Sequence, residues 1–266
     1  MYSKSQRWIK WYSRVAVYKS LRTVKILLEY KNNQAKLLDL GCGIGITFGF
    51  VSQTFPNSTA CDIDEKALTA TSELLARIGI KRKIVKYQGK RLPFVDNYFD
   101  IVTSIEVIEH VDDPEFMLSE IYRVLKKDGI LHITTANKWW PYEPHYKLLF
   151  LSYLPEKLAD YYVKFSGQGD SYGGIKLPSY SNFRSQVARY FEVNDITLNL
   201  IESFEKYDFH LERGRKVIIV GFLLRYLRIM ENYWLGRVLQ ELIRSLLLHV
   251  SLGWLFIARP KKINDK

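Results

Sequence analysis

Between Lys36 and Thr135 short apolar runs rich in β-branched residues alternate with stretches whose apolar positions fall three or four apart. These are the periods of strand and helix. AKLLDL, STACDI, KIVKY, FDIVTSI and GILHITT read as strands. Helices are expected after the glycine-rich turn that follows the first of them, from Glu65 to Ile78 and from Pro114 to Leu125. This alternation predicts βα units on a parallel sheet with right-handed crossovers, an α/β architecture.

The flanks follow other patterns. Residues 7–30 place apolar groups as one or two amphipathic helices would, and from Asn137 to about Pro178 aromatic, proline and glycine residues crowd into what reads as an inserted cap. A helix over Ser181–Tyr190, a strand over Glu192–Ile201 and a last strand, GWLFIAR, complete seven strands. Residues 216–250 are helical and apolar, but Arg225, Arg228, Glu231, Arg237, Glu241 and Arg244 interrupt them. No run there reaches the roughly 20 uninterrupted apolar residues of a spanning helix. The expected organisation is a basic helical segment over 1–35 and one domain over 36–266, with insertions at about 139–180 and 211–250.

Composition narrows the class. With 266 residues, 47% of them hydrophobic, the chain can bury a substantial core. Two cysteines, Cys42 and Cys61, and no secretory pattern at the N-terminus favour a reducing, cytoplasmic setting. The net charge is +11, and the excess sits at the ends: nine Lys/Arg against one acid in residues 1–36, eleven against four in 211–266. Such ends favour phosphate-bearing partners, anionic lipid or RNA, and a solvated basic surface is the plain alternative.

The chemistry concentrates after the first strand. LLDLGCGIG ends a strand at Asp39 and places Gly41, Gly43 and Gly45 at alternate positions, where the backbone can turn sharply and approach a ligand closely. About twenty residues on, the next strand ends in Cys61-Asp62-Ile63-Asp64. A carboxylate there can accept hydrogen bonds from both hydroxyls of a ribose. Asp62 is the candidate, and Asp64 reads as the N-cap of the next helix.

LLDLGCGIG, ACDID, LPFVDNYFDIVTSIEVIEHVDDP and EIYRVLKKDGILHITTANK, in this order, resemble the class I S-adenosylmethionine-dependent methyltransferases of the small-molecule kind, including those of ubiquinone biosynthesis. The resemblance covers about Lys36–Lys138 and implies a Rossmann-like sheet with helices on both faces and S-adenosyl-L-methionine as cofactor. It also implies that Asp39 and the backbone of Gly41, Cys42 and Gly43 hold the amino-acid end of the cofactor. Asp62 would hold the ribose and Ile63 would lie against the adenine. Ser104 and Ile105 would lie under the methionyl part. Gln88 stands where relatives carry an acid toward the adenine amino group, and its amide oxygen can still accept that bond.

Methyl transfer to oxygen also requires a base or a metal near the acceptor. Glu106-x-x-Glu109-His110 is similar to the divalent-metal site of ubiquinone-pathway O-methyltransferases, which implies Mg²⁺; the other reading has His110 lining the pocket and Glu109 capping a turn. Glu143-x-His145 in the cap would supply His145 as a general base, or His145 would only anchor the insert. Trp139, Trp140, Tyr142 and Tyr146 would form an acceptor pocket or the small core of the cap. The cap is similar to that of methyltransferases of glycan and cell-envelope biosynthesis, which implies a lipid-linked, glycan or quinone-like acceptor. Arg225 with Arg228, and Arg237 with Arg244, fall near one helical face each. There they would meet the head groups of an anionic membrane on its inner face, or belong to a hairpin packed on the domain or a dimer. Nucleic acid is the rival partner, but no RNA-binding module precedes the domain.

Overall fold

The computed structural model describes residues 6–229 and 234–262, with side chains described over 14–229 and 236–262. Residues 1–5, the side chains of the first turns of the N-terminal helix and the expected interruption at Glu231 lie outside these.

One helix, α1 (Gln6–Tyr30), stands where one or two were expected. β1 (Leu37–Leu40), α2 (Ile46–Thr54), β2 (Ser58–Asp62), α3 (Glu65–Arg77), β3 (Lys83–Lys86), β4 (Phe99–Ile105), α4 (Pro114–Val124) and β5 (Leu125–Ala136) follow as the alternating pattern requires. The helix starts obey local chemistry. Asp64 accepts from the Lys66 amide at 2.8 Å and caps α3, and Asp113 accepts from Phe116 at 2.9 Å ahead of a proline in the first turn of α4.

The cap opens with a hairpin, β6 (Tyr142–Glu143) and β7 (Leu148–Leu149), followed by α5 (Glu156–Phe165). Then come α6 (Tyr180–Tyr190), β8 (Phe191–Asp195), α7 (Thr197–Glu202), α8 (Phe209–Arg213), α9 (Lys216–Ile229), α10 (Trp234–His249) and β9 (Gly253–Pro260). The strand expected over 192–201 is half right. Asp195 accepts from the Thr197 amide at 2.9 Å, an Asx turn that ends β8, and residues 197–202 coil into α7 with Leu198 and Leu200 buried.

The seven-stranded sheet has the order β3-β2-β1-β4-β5-β9-β8, and β9 runs opposite to the other six strands. One face packs Leu38, Val102, Leu131, Ile133 and Phe256 against α4 and α6, through Leu118, Ile121, Phe183 and Val187. The other packs Leu37, Ile101, Ile130 and Leu255 against Ile26 and Leu27 of α1 and Val51 and Phe55 of α2. β1 and β2 are buried at every residue, so LLDL and STACD show no alternation of buried and exposed positions. The order reverses between β1 and β4, and the crevice beyond the carboxyl ends of these strands is where such a sheet takes a ligand.

Candidate active site

The glycine loop lies at that crevice. Gly41 has φ +75°, and a Cβ there would come 2.3 Å from Cγ2 of Val107; at Gly45, φ +78°, it would come 2.7 Å from Thr71. The turn therefore has no room for side chains at either position. Its amides point back rather than outward: Gly41 and Cys42 donate to the Cys61 carbonyl at 2.8 and 3.2 Å, and Gly43 donates to Oδ2 of Asp62 at 2.8 Å. Thr71 donates to the Gly43 carbonyl at 2.8 Å. These bonds tie the loop to the end of β2.

Asp62 is buried, and its other oxygen accepts from the Asp64 amide at 3.0 Å. Each carboxylate oxygen keeps a second lone pair, so these bonds aim the group without exhausting it. Asp39 is buried at the end of β1 and accepts from the Thr103 hydroxyl at 2.5 Å. Burial, with Asp62 adding repulsion, pushes its carboxyl up to about 6 although the Thr103 bond opposes the shift. Burial and the two aspartates also raise both thiols, Cys61 to about 12, so neither is a thiolate nucleophile near neutral pH.

Ile63 is exposed and lines a cleft of about 200 Å³ with Leu40, Tyr87, Gly89, His110 and Met117. This cleft joins the edge where adenine was expected to the end of the β4 turn. Gln88 is exposed on the loop between Tyr87 and Gly89, which line the cleft. Ser104 is fully buried, with an unpartnered hydroxyl, and Ile105 is half-buried at the end of β4.

The acidic and imidazole groups assemble differently from the sequence expectation. Glu106 takes φ +57° at the end of β4 and pairs with Lys19 of α1 at 2.7 Å; the Lys19 charge holds its carboxyl below the usual range. Glu109, His110 and His145 instead bring one ligand atom each within 4.8 Å of one another. Of the expected set, Glu109 and His110 converge and Glu106 pairs with Lys19, while the cap adds His145 to the group. Glu109 is buried, takes the Thr135 hydroxyl at 3.0 Å on one oxygen and leaves the other unpartnered; burial raises its carboxyl. Two imidazoles and a carboxylate suit a borderline transition ion better than Mg²⁺, which prefers oxygen ligands.

In the cap, Glu143 is fully buried, accepts from the Tyr146 amide at 2.6 Å and lies 2.7 Å from Nδ1 of His145. That partner assigns the proton to Nδ1 and leaves Nε2 as the basic atom. Burial alone would depress the His145 imidazole, but the bond and charge of Glu143, helped by Glu109 and Glu106, raise it. The rings of His145 and His110 meet edge to face at 5.2 Å, and burial and His145 lower His110.

The aromatics divide. Tyr146 joins the core of the cap with Leu151, Ala159, Val163 and Tyr172, whereas Trp139 and Tyr142 stay exposed. Thr103, Thr71, Thr135 and Lys19 were missed in the sequence. Each serves a site residue distant in the chain and carries no local signature.

Residues 38–133 match the family model described as a methyltransferase domain. The demethylmenaquinone methyltransferase of Lactobacillus johnsonii is 35% identical over 135 residues, 49% of this chain and 54% of that protein. The ubiquinone biosynthesis O-methyltransferase of Pseudomonas aeruginosa is 29% identical over 139 residues, 48% and 59% respectively. The matched stretch thus spans little more than half the length of these relatives. The PH0226 protein of Pyrococcus horikoshii shares the fold, with a TM-score of 0.56 at 16% identity over 91% of this chain and 89% of that one. Residues 38–133 thus match a methyltransferase domain and help to build the seven-stranded sheet, whose fold the Pyrococcus protein shares.

Proposed function

We propose that the protein transfers a methyl group from S-adenosylmethionine to a hydroxyl oxygen of a small, quinone-like or lipid-linked acceptor. The observation that carries the oxygen assignment is the Glu143–His145 pair, a buried carboxyl 2.7 Å from Nδ1 that orients an imidazole with its other nitrogen available. Similarity to quinone-pathway methyltransferases supports the acceptor class.

In this reading Asp39 holds the ammonium of the cofactor, Asp62 its ribose hydroxyls and Ile63 one face of its adenine. The bound sulfonium supplies an electrophilic methyl and a neutral thioether leaving group. Nε2 of His145 would take the proton of the acceptor hydroxyl, whose oxygen would then receive the methyl in line with the departing sulfur. Glu143 stabilises the imidazolium until the proton passes to solvent.

Calorimetry with S-adenosylhomocysteine should show binding that Asp62→Ala weakens at least about tenfold, the cost of a charged hydrogen-bond pair. Absence of binding to the wild-type chain would refute the enzymatic reading. The acceptor is found by incubating membrane and soluble extracts with isotopically labelled cofactor and following the label by mass spectrometry.

A second reading rests on the convergence of Glu109, His110 and His145. A carboxyl on the far nitrogen of a histidine is the usual support of a metal ligand, so Glu143 fits this role equally. A metal would lower the pKa of the acceptor hydroxyl directly. Elemental analysis of the purified chain, and activity that EDTA removes and a transition ion restores, would favour it; activity indifferent to EDTA and to Glu109→Gln would exclude it.

A further inference from the structure

Helix α10 leaves much of its apolar surface outside. Its sequence puts Gln240 and Arg244 on one side and Val238, Leu239, Leu242 and Leu246 on the other. The inward side is mixed: Gln240 is buried beside half-buried Ile243 and Leu247, and Arg244 lies 3.8 Å from Glu202 and 3.4 Å from the side-chain oxygen of Asn199. The apolar side faces out, with Leu242 63% and Leu246 62% exposed. On α9, Gly221, Leu224 and Leu227 face inward, while Ile219, Phe222, Tyr226 and Ile229 form an exposed stripe. Of the arginines expected at head groups, Arg228 pairs with buried Glu202 at 3.0 Å while staying exposed itself, and Arg225 pairs with exposed Glu205. A surface helix ordinarily turns its apolar stripe to the core, and a large exposed apolar surface marks an interaction site.

We propose that the outward faces of α9 and α10 dock on an anionic lipid bilayer. Charge selects this occupant. Arg215 and Lys216 are exposed where the chain enters α9, a few residues ahead of Ile219, and there they meet phosphates as the apolar residues enter the interface. A second copy would bring the same cations and another net +11 against this face. The docking is in-plane: the 14 and 16 residues of α9 and α10 extend about 21 and 24 Å, short of the roughly 30 Å hydrocarbon layer. Among the described residues no helix is long and apolar enough to cross a membrane. Docking by this face holds whichever acceptor is methylated.

The test is flotation of the full chain at low salt with vesicles of equimolar phosphatidylcholine and phosphatidylglycerol, and with phosphatidylcholine alone. The chain floats with the anionic vesicles. Phe222→Ser with Leu242→Ser lowers the partition coefficient at least about tenfold, and Arg215→Gln with Lys216→Gln lowers it for the anionic vesicles in particular. Affinity for S-adenosylhomocysteine is unchanged in both variants, which separates a lost surface from a lost fold. A wild-type chain that stays in the soluble fraction overturns the proposal. So does a serine variant that floats as the wild type does, or a wild-type dimer that the serines dissociate without any flotation.

Discussion

Thr103 on β4 and Asp39 on β1 sit opposite each other in register, and the hydroxyl of one donates to the carboxyl of the other at 2.5 Å. The bond opposes the burial that pushes Asp39 up to about 6. A bound ammonium needs the ionised form, so affinity for S-adenosylhomocysteine falls as pH drops below about 6. Calorimetry across this range should show that slope in the wild type, its near disappearance in Asp39→Asn, and its displacement to higher pH in Thr103→Val.

The same shift makes Asp39 costly to the unliganded fold. Its pKa is higher folded than unfolded, so its contribution is present below pH 3.8 and lost as pH rises through about 6. Asp39→Asn, which keeps an acceptor for Thr103, therefore raises stability at neutral pH by on the order of 1–3 kcal/mol while weakening ligand binding. Urea unfolding of the unliganded chains measures this.

His132 shows the opposite sign. It is fully buried on β5 with both ring nitrogens unpartnered, and burial, reinforced by Arg22 and Lys19, holds its imidazole down to about 3. A depressed folded pKa gives stability that is present above pH 6.5 and drains away as pH falls toward about 3. His132→Leu should flatten the acid side of the stability profile between these limits. An equally steep loss in that variant would show that other groups drive acid unfolding.

The acid limb of the methyl-transfer rate should lie above the usual imidazole range, because Glu143 raises His145 and the base must be unprotonated. Glu143→Gln removes that support, moving the limb to lower pH while slowing the reaction. His145→Ala lowers kcat by about 10²–10⁴-fold. A limb unmoved by Glu143→Gln would remove His145 from the role of base.

Gly41 and Gly43 both have positive φ, but only Gly41 lies against a side chain, Val107. Gly43→Ala therefore costs about 1 kcal/mol of left-handed strain, whereas Gly41→Ala adds a steric clash and costs about 3 kcal/mol or more. Val107→Ala recovers part of the Gly41→Ala loss and none of the Gly43→Ala loss. Denaturant unfolding with and without S-adenosylhomocysteine measures both.

Much of the fold was legible because it rests on short-range rules. The two hydrophobic periods, the glycines at a turn that excludes Cβ atoms and the Asp64 cap act within a few residues, and the structure places them where the sequence does. The strand expected through Ile201 failed at Asp195, where a side chain closing on a backbone amide two residues on outweighed an alternating pattern.

The sequence by itself determined which side chains share a strand face or a helix face, since that depends only on backbone geometry. Tertiary structure decided which face looks inward and which distant groups meet. Lys19 of α1 pairs with Glu106, the cap brings His145 to Glu109 and His110, and Glu202 with Asn199 holds Arg244 of α10 toward the protein. A charge is buried only where its partner stands, and those partners lie tens of residues away, so no local pattern could have chosen between the two sides of that helix.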